Sequence, residues 1–183
     1  LFISREPSKI ILTLNDGEER EFEFDGSDVV RQIVVEEEQI RSLEMRVESG
    51  AEGFTGIGAD FDSTSGLAVD NFSVRSNNGQ AMFWSSASVN AQIHSMRPYD
   101  LVILQYGLNI MQADRHNYSL YGEQVEKMVR YVESCFPGAA VLVMGVSDRS
   151  QRNEQGIVPM TAAVDLARSQ REAAEKCGVA FWN

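Results

Sequence analysis

The sequence predicts an α/β protein: a parallel sheet with helices on each face over residues 66–183, preceded by a small antiparallel β region over residues 1–65. Three observations carry this expectation. Four consecutive apolar residues, Leu101 to Leu104, run into Gln105, Tyr106, Gly107, Leu108 and Asn109, and a short apolar run without alternation reads as a strand covered on both faces. Between such runs lie helical patterns, clearest over 123–136, where Val125, Met128, Val129 and Val132 fall at i, i+3, i+4 and i+7. The first third of the chain instead alternates, with Phe22 and Phe24 on one face and Glu21 and Glu23 on the other, as half-buried antiparallel strands do.

Composition sets the outer limits. A chain of 183 residues, 43% apolar, suits one moderate domain or one domain carrying a smaller one. The net charge of −11 argues against a nucleic-acid partner, whose phosphates demand clustered Lys and Arg. The acidic run Glu36, Glu37, Glu38 reads as a solvated surface. No stretch approaches the roughly 18 apolar residues of a membrane helix, so no membrane span is expected. Cys135 and Cys177 each fall near a helix end and read as small buried hydrophobes rather than as a disulfide or a reactive thiol. With only His94 and His116, and no Cys/His spacing of metal-ligand type, neither a metal nor a cofactor is expected. The opening Leu1, Phe2, Ile3 and Ser4 carry neither an initiator methionine nor a signal-peptide pattern, so the sequence is expected to begin within a longer protein.

In order, the apolar run over 10–14 leads into Asn15, Asp16 and Gly17, of which the last two tolerate the positive φ of a tight hairpin. Residues 19–24 form the returning strand and 25–27 a second turn. Residues 29–35 and 41–47 read as further strands because β-branched residues dominate, although Val30, Ile33 and Val34 also fit a helix face. Gly56-x-Gly58 lacks the third glycine of a dinucleotide fingerprint, since position 61 is Phe, and no phosphate-binding loop is present.

After Gly66 the pattern becomes α/β. A strand is predicted over 67–74, a helix over 80–96 with Trp84 facing inward, the strand 101–106, the helix 123–136 stopped by Pro137-Gly138, and the strand 139–146. A polar loop to Pro159, a helix over 161–176 closed by Gly178, and a strand over 179–182 complete the reading.

Three of these strands end on polar or glycine-bearing segments: 76–79, 107–109 and 147–148. In a parallel sheet such ends share the carboxyl edge, where ligands bind. An Asn amide there can donate to an oxygen, and a glycine lets another group approach the backbone. Equally, Gly107 could simply end its strand and Asn109 cap the next segment. His94, beside Pro98 on the opposite side of the strand, reads as a surface histidine. His116, in the loop on the proper edge, reads as solvent-exposed, and Asp148 as a loop-ordering residue.

Asn78-Gly79 after one strand, Gly107-x-Asn109 after the next, and Ser147-Asp148-Arg149 after a third resemble the middle blocks of the SGNH, or GDSL-type, hydrolase superfamily. The nearest flavour is the bacterial subgroup in which a β-sandwich is inserted into the hydrolase fold, similar to peptidoglycan and polysaccharide O-acetylesterases. The resemblance implies a flavodoxin-like hydrolase domain at 66–183 and a carbohydrate-binding-module-like insert at 1–65. It gives Gly79, through its N–H, and Asn109, through its side-chain amide, the role of oxyanion-hole donors. It further implies a carboxylester hydrolase, secreted or periplasmic, acting on O-acylated carbohydrate or peptidoglycan by a Ser-His-Asp mechanism. The family's Gly-Asp-Ser and Asp-x-x-His blocks have no counterpart here, and Ile110 stands where the family commonly has Asp. The nucleophile and base are therefore expected outside these residues. A non-catalytic carbohydrate-binding protein with a degenerate hydrolase-like domain is the alternative, and a flavodoxin-type nucleotide-binding domain a third.

Overall fold

The computed structural model describes residues 1–63 and 65–183. They form two compact units, Leu1–Val69 and Asp70–Asn183.

The first unit is built from β1 (Phe2–Ser4), β2 (Ser8–Leu14), β3 (Glu19–Phe24), β4 (Ser27–Arg31), β5 (Leu43–Ser49) and β6 (Phe54–Gly56). They make two antiparallel sheets, ordered β4-β1-β6 and β3-β2-β5. Side chains alternate about the strands, so Ile10 and Leu12 of β2 turn inward beside Phe22 and Phe24. Phe2 of the other sheet joins them, its ring 5.0 Å edge-on from Phe24 and 5.3 Å from Phe54 in a stacked arrangement. One aromatic cluster thus serves both sheets.

The β2–β3 hairpin turns on Asn15 and Asp16, whose φ values are 53° and 55°, with Gly17 donating to the Leu14 carbonyl at 2.8 Å. The positive-φ pair lies one residue earlier than the sequence suggests, because Asn and Asp themselves tolerate the left-handed region. The strand expected over 29–35 is β4, displaced toward the chain start; no helix forms there.

The second unit contains α1 (Ala87–Met96), β7 (Leu101–Gln105), α2 (Ser119–Cys135), β8 (Ala140–Met144), β9 (Ser150–Asn153), β10 (Gly156–Pro159), α3 (Ala162–Cys177) and β11 (Ala180–Trp182). Strands β11, β8 and β7 form a three-stranded parallel sheet in that order, with Leu101 opposite Ala140 and Ala180 opposite Leu142. The protein is therefore mixed α/β, with small antiparallel sheets and one parallel sheet. The α2 periodicity predicted from sequence is seen: Val125, Met128, Val129 and Val132 are all buried, beside Leu166 and Ala173 of α3. Gly178 closes α3 at φ 73°, its N–H returning to the carbonyls of Ala174 and Glu175.

Four expectations are corrected. The sheet is covered on one face only: Leu104, Val141 and Val143 are buried toward the helices, whereas Leu101 and Ile103 are 49% and 50% exposed. The reason is topological. The crossovers β7–α2–β8 and β8–α3–β11 step across the sheet in the same direction, and right-handed crossovers then place both helices on the same face. Residues 67–74 form no strand; Leu67, Val69, Phe72 and Val74 are exposed, since an apolar segment alone supplies no neighbour for the backbone to pair with. The helix over 80–96 is broken into a 3₁₀ turn, Gln80–Trp84, and α1, because Ser86 accepts a hydrogen bond from Val89 N and caps a new helix. Trp84, expected inward, is 87% exposed. Finally, the polar loop before Pro159 contains the β9–β10 hairpin.

Gln170 sets the spacing of the parallel strand ends. It lies on α3 at 1% exposure, accepts a hydrogen bond from Val146 N at 2.8 Å and donates one to the Tyr106 carbonyl at 2.8 Å. A Cβ on Gly107, which has φ 128°, would stand 3.2 Å from Gln170 Nε2 and 3.3 Å from Val146 Cβ. Glycine is what lets the strand end pass this close.

Candidate functional site

The three segments 76–79, 107–109 and 147–149 are linked by hydrogen bonds, although the first follows no strand. Residues 74–77 make a turn in which Asn77 N donates to the Val74 carbonyl at 3.3 Å and Ser76 takes φ 61°. Asn77 Oδ1 then accepts the Gly79 N–H at 2.8 Å, and Asn78 Oδ1 accepts the Gln80 N–H at 3.2 Å. Asn side chains commonly order a turn by bonding the backbone two residues on. Gly79 itself has φ 97° and is buried against Met128, and a Cβ added there would collide with the Met128 sulfur.

Beyond β7, Ile110 N donates to the Gly107 carbonyl at 2.9 Å, turning Leu108 and Asn109 outward. Asn109 Nδ2 donates to the Asn77 carbonyl at 2.9 Å. From beyond β8, Arg149 donates to the Leu108 carbonyl at 3.0 Å. Gly79 and Asn109 thus meet through one residue, Asn77, whose side chain holds the first and whose carbonyl holds the second. The Gly79 N–H is its only amide proton and is committed to Asn77; Asn109 Nδ2 keeps a second proton to donate.

Around this junction lies an open groove of about 390 Å³, bordered by Arg75, Asn77, Asn78, Gln80, Trp84 and Asn109 among others. Among the described residues, Arg75 is the single charged side chain on its wall. Gln124 of α2 supports the floor, donating to the Asn78 carbonyl at 3.4 Å.

Neither histidine joins the groove wall. His94 is buried, correcting the surface reading: Tyr99 N donates to Nδ1 at 3.1 Å, which leaves Nε2 to donate to the Pro137 carbonyl at 3.1 Å. The ring ties the end of α1 to the chain beyond α2. His116 is exposed, as expected, and its Nδ1 meets Asp165 Oδ2 at 2.8 Å, with Arg168 on the other carboxylate oxygen at 2.9 Å. The His116 hydrogen bond, aided by Arg168, holds the Asp165 carboxyl below its usual range. Among the described residues Asp148 makes no side-chain hydrogen bond that would order its loop, and Arg149 donates to the Leu108 carbonyl there. Cys135 is buried and Cys177 half-buried; both are free thiols. Among the described residues no cluster of three or more His, Cys, Asp or Glu side chains could hold a metal ion, and no helix is long and apolar enough to cross a membrane.

Sequence reasoning passed over Asn77, Gln124 and Gln170, and it turned Trp84 inward. Asn77 was visible as the first of two consecutive asparagines, and Gln170 as the polar residue four positions after Leu166 on the buried stripe of α3. Nothing local marked Gln124.

No protein-family model matches the chain, and a search of curated proteins finds no match.

Proposed function

We propose that this chain is part of an SGNH-type carboxylester hydrolase that removes acyl groups, acetyl above all, from an O-acylated carbohydrate or peptidoglycan outside the cytoplasm. The observation that carries the proposal is the meeting of Gly79 and Asn109 at Asn77, beside the carboxyl end of β7. In this reading the chain supplies the oxyanion site, while the serine and the His-Asp base come from outside these residues. Asn109 Nδ2 donates its second proton to the oxygen that becomes negative in the tetrahedral intermediate. The Gly79 N–H joins it once the Asn77 side chain turns away. A donor placed in advance of that charge lowers the barrier by about 3–4 kcal/mol.

The test is to sequence the parent reading frame on both sides and assay the complete product with p-nitrophenyl acetate. Upstream Gly-Asp-Ser and downstream Asp-x-x-His segments, with turnover abolished by Ser→Ala and reduced about 100-fold by Asn109→Ala, would support the esterase. Absence of both segments would end it.

A second reading, a carbohydrate-binding protein with a degenerate hydrolase-like domain, is favoured by the capture of the Gly79 N–H by Asn77. It expects the complete protein to bind oligosaccharide and to show no hydrolysis that Asn109→Ala alters.

A further inference from the structure

Trp84 is held outward by its neighbours. Met82 packs against the main core, and the Phe83 ring meets Tyr131 edge-on at 5.3 Å. Tyr131 in turn donates to the Ser85 carbonyl at 2.7 Å. Both flanks of Trp84 are therefore anchored, and the indole, 87% exposed, projects from the groove wall. Leaving so large an apolar ring in water is unfavourable unless something covers it.

The rest of the wall says what kind of surface that is. The Arg75 guanidinium and Asn78 Nδ2 have no hydrogen-bond partner among the described residues, and Asn109 Nδ2 keeps its spare proton. Among the described residues no acidic side chain lines the groove. An aromatic plane beside several unspent neutral and forked donors matches a ring that is apolar on its faces and hydroxylated at its rim. A pyranose has that form: its axial C–H bonds meet the electron-rich indole face while its equatorial oxygens accept from amides and guanidinium.

We infer that Trp84, with Arg75 and Asn78, forms a subsite for a pyranose unit of an oligosaccharide beside Asn109. The inference rests on the proposed carbohydrate substrate and names how the sugar is held. Trp84 stacks on the ring, Asn78 and Arg75 bond its hydroxyls, and the sugar lies adjacent to the oxyanion position.

The chain contains two tryptophans, so Trp182→Phe leaves Trp84 as the sole indole reporter. This variant is titrated with chitotetraose, cellotetraose and xylotetraose while its emission is followed, with isothermal calorimetry on the wild-type chain in parallel. The expected result is a saturable emission shift with at least one of the three, at a Kd of about 1 mM or tighter. Trp84→Ala should weaken the calorimetric binding at least about 10-fold, and Arg75→Gln or Asn78→Ala each by several-fold. Trp84→Phe should recover part of it. Because Trp84 is already in water, helical circular dichroism should be unchanged in these variants. No saturable response to any of the three sugars, or binding indifferent to Trp84→Ala, overturns the subsite. Sugar binding by a complete protein that hydrolyses no ester would sink the esterase reading and leave the subsite standing. Hydrolysis of p-nitrophenyl acetate without sugar binding would do the reverse.

Discussion

Gln170 accepts the backbone N–H of Val146 at 2.8 Å from a position at which 1% of its surface is exposed. Its amide nitrogen reaches the Tyr106 carbonyl at the same distance, so a single side chain joins the ends of the two strands that deliver the Asn109 and Arg149 segments. Gln170→Met keeps the volume and removes both bonds, leaving a buried donor and acceptor unsatisfied. The expected cost is about 2–4 kcal/mol, read as a lower urea midpoint of the helical circular dichroism signal. An unchanged midpoint would show that water replaces the amide.

Gly79→Ala is expected to be costly twice over. The residue has φ 97°, and the added methyl meets Met128, which is itself 1% exposed and has nowhere to go. A loss of about 2–4 kcal/mol is expected from backbone strain plus overpacking. The double substitution with Met128→Ala should cost less than the sum of the two single ones, because only the clash is relieved. Strict additivity would place the whole effect in the backbone.

Asp70 is expected to give the second unit a dependence on pH at both extremes. It accepts from Tyr99 Oη at 2.6 Å and pairs with Arg97, and these contacts hold its carboxyl below the usual value. Its contribution is present above the unfolded value of about 3.9 and is lost as pH falls through the folded one. Burial, reinforced by Asp70, pushes the Tyr99 hydroxyl up to about 12. That contribution is present below the unfolded value of about 10 and is lost as pH rises toward 12. Urea midpoints across pH 2.5–5 and 9–11.5, for wild type and Asp70→Asn, are the measurement. In the variant both limbs should flatten; identical profiles would refute the assignment.

His94 is expected to carry its proton on Nε2. A backbone N–H can only donate, so Nδ1, which receives Tyr99 N, has to be the bare nitrogen. Nitrogen-15 shifts of the imidazole near neutral pH read this directly, and a protonated Nδ1 would contradict the bonding seen here. His94→Leu should cost about 2 kcal/mol, since both partners lose their bond inside the fold.

How much of this could be read beforehand follows from the range of the signals. The face of α2 and the Gly178 stop of α3 are local, and both were legible. The strand expected over 67–74 rests on apolar residues just as local, Leu67, Val69, Phe72 and Val74, but pairing is decided by a neighbour distant in sequence, and among the described residues there is none. Uncovered Leu101 and Ile103 fail for the same reason: apolar runs say a face is oily, whereas crossover direction says whether anything lies on it. At the site, the ends of β7 and β8 carry the Asn109 and Arg149 segments, whereas the Gly79 segment follows no strand and reaches them through Asn77. The Asn77 junction was hidden because it joins a carbonyl to a side chain 32 positions away. His116 and Asp165, 49 positions apart, were hidden likewise.

The free edge of β7 should be sensitive to charge. Ile103→Lys, on the uncovered face, is expected to raise the concentration at which light scattering sets in while leaving circular dichroism unchanged. Equal scattering by the two proteins would mean that association starts elsewhere.

That edge also gives the acidic surface a colloidal purpose. A short β-branched and leucine-rich strand with one open side is a template for strand addition between molecules. A net charge of −11 keeps copies apart at neutral pH and low salt. Near the isoelectric point of about 4.6, or once salt shortens the Debye length to a few ångströms, the repulsion fades while the template remains. Turbidity on acidification would then precede unfolding, and the chain would behave as a colloid held in suspension by its carboxylates.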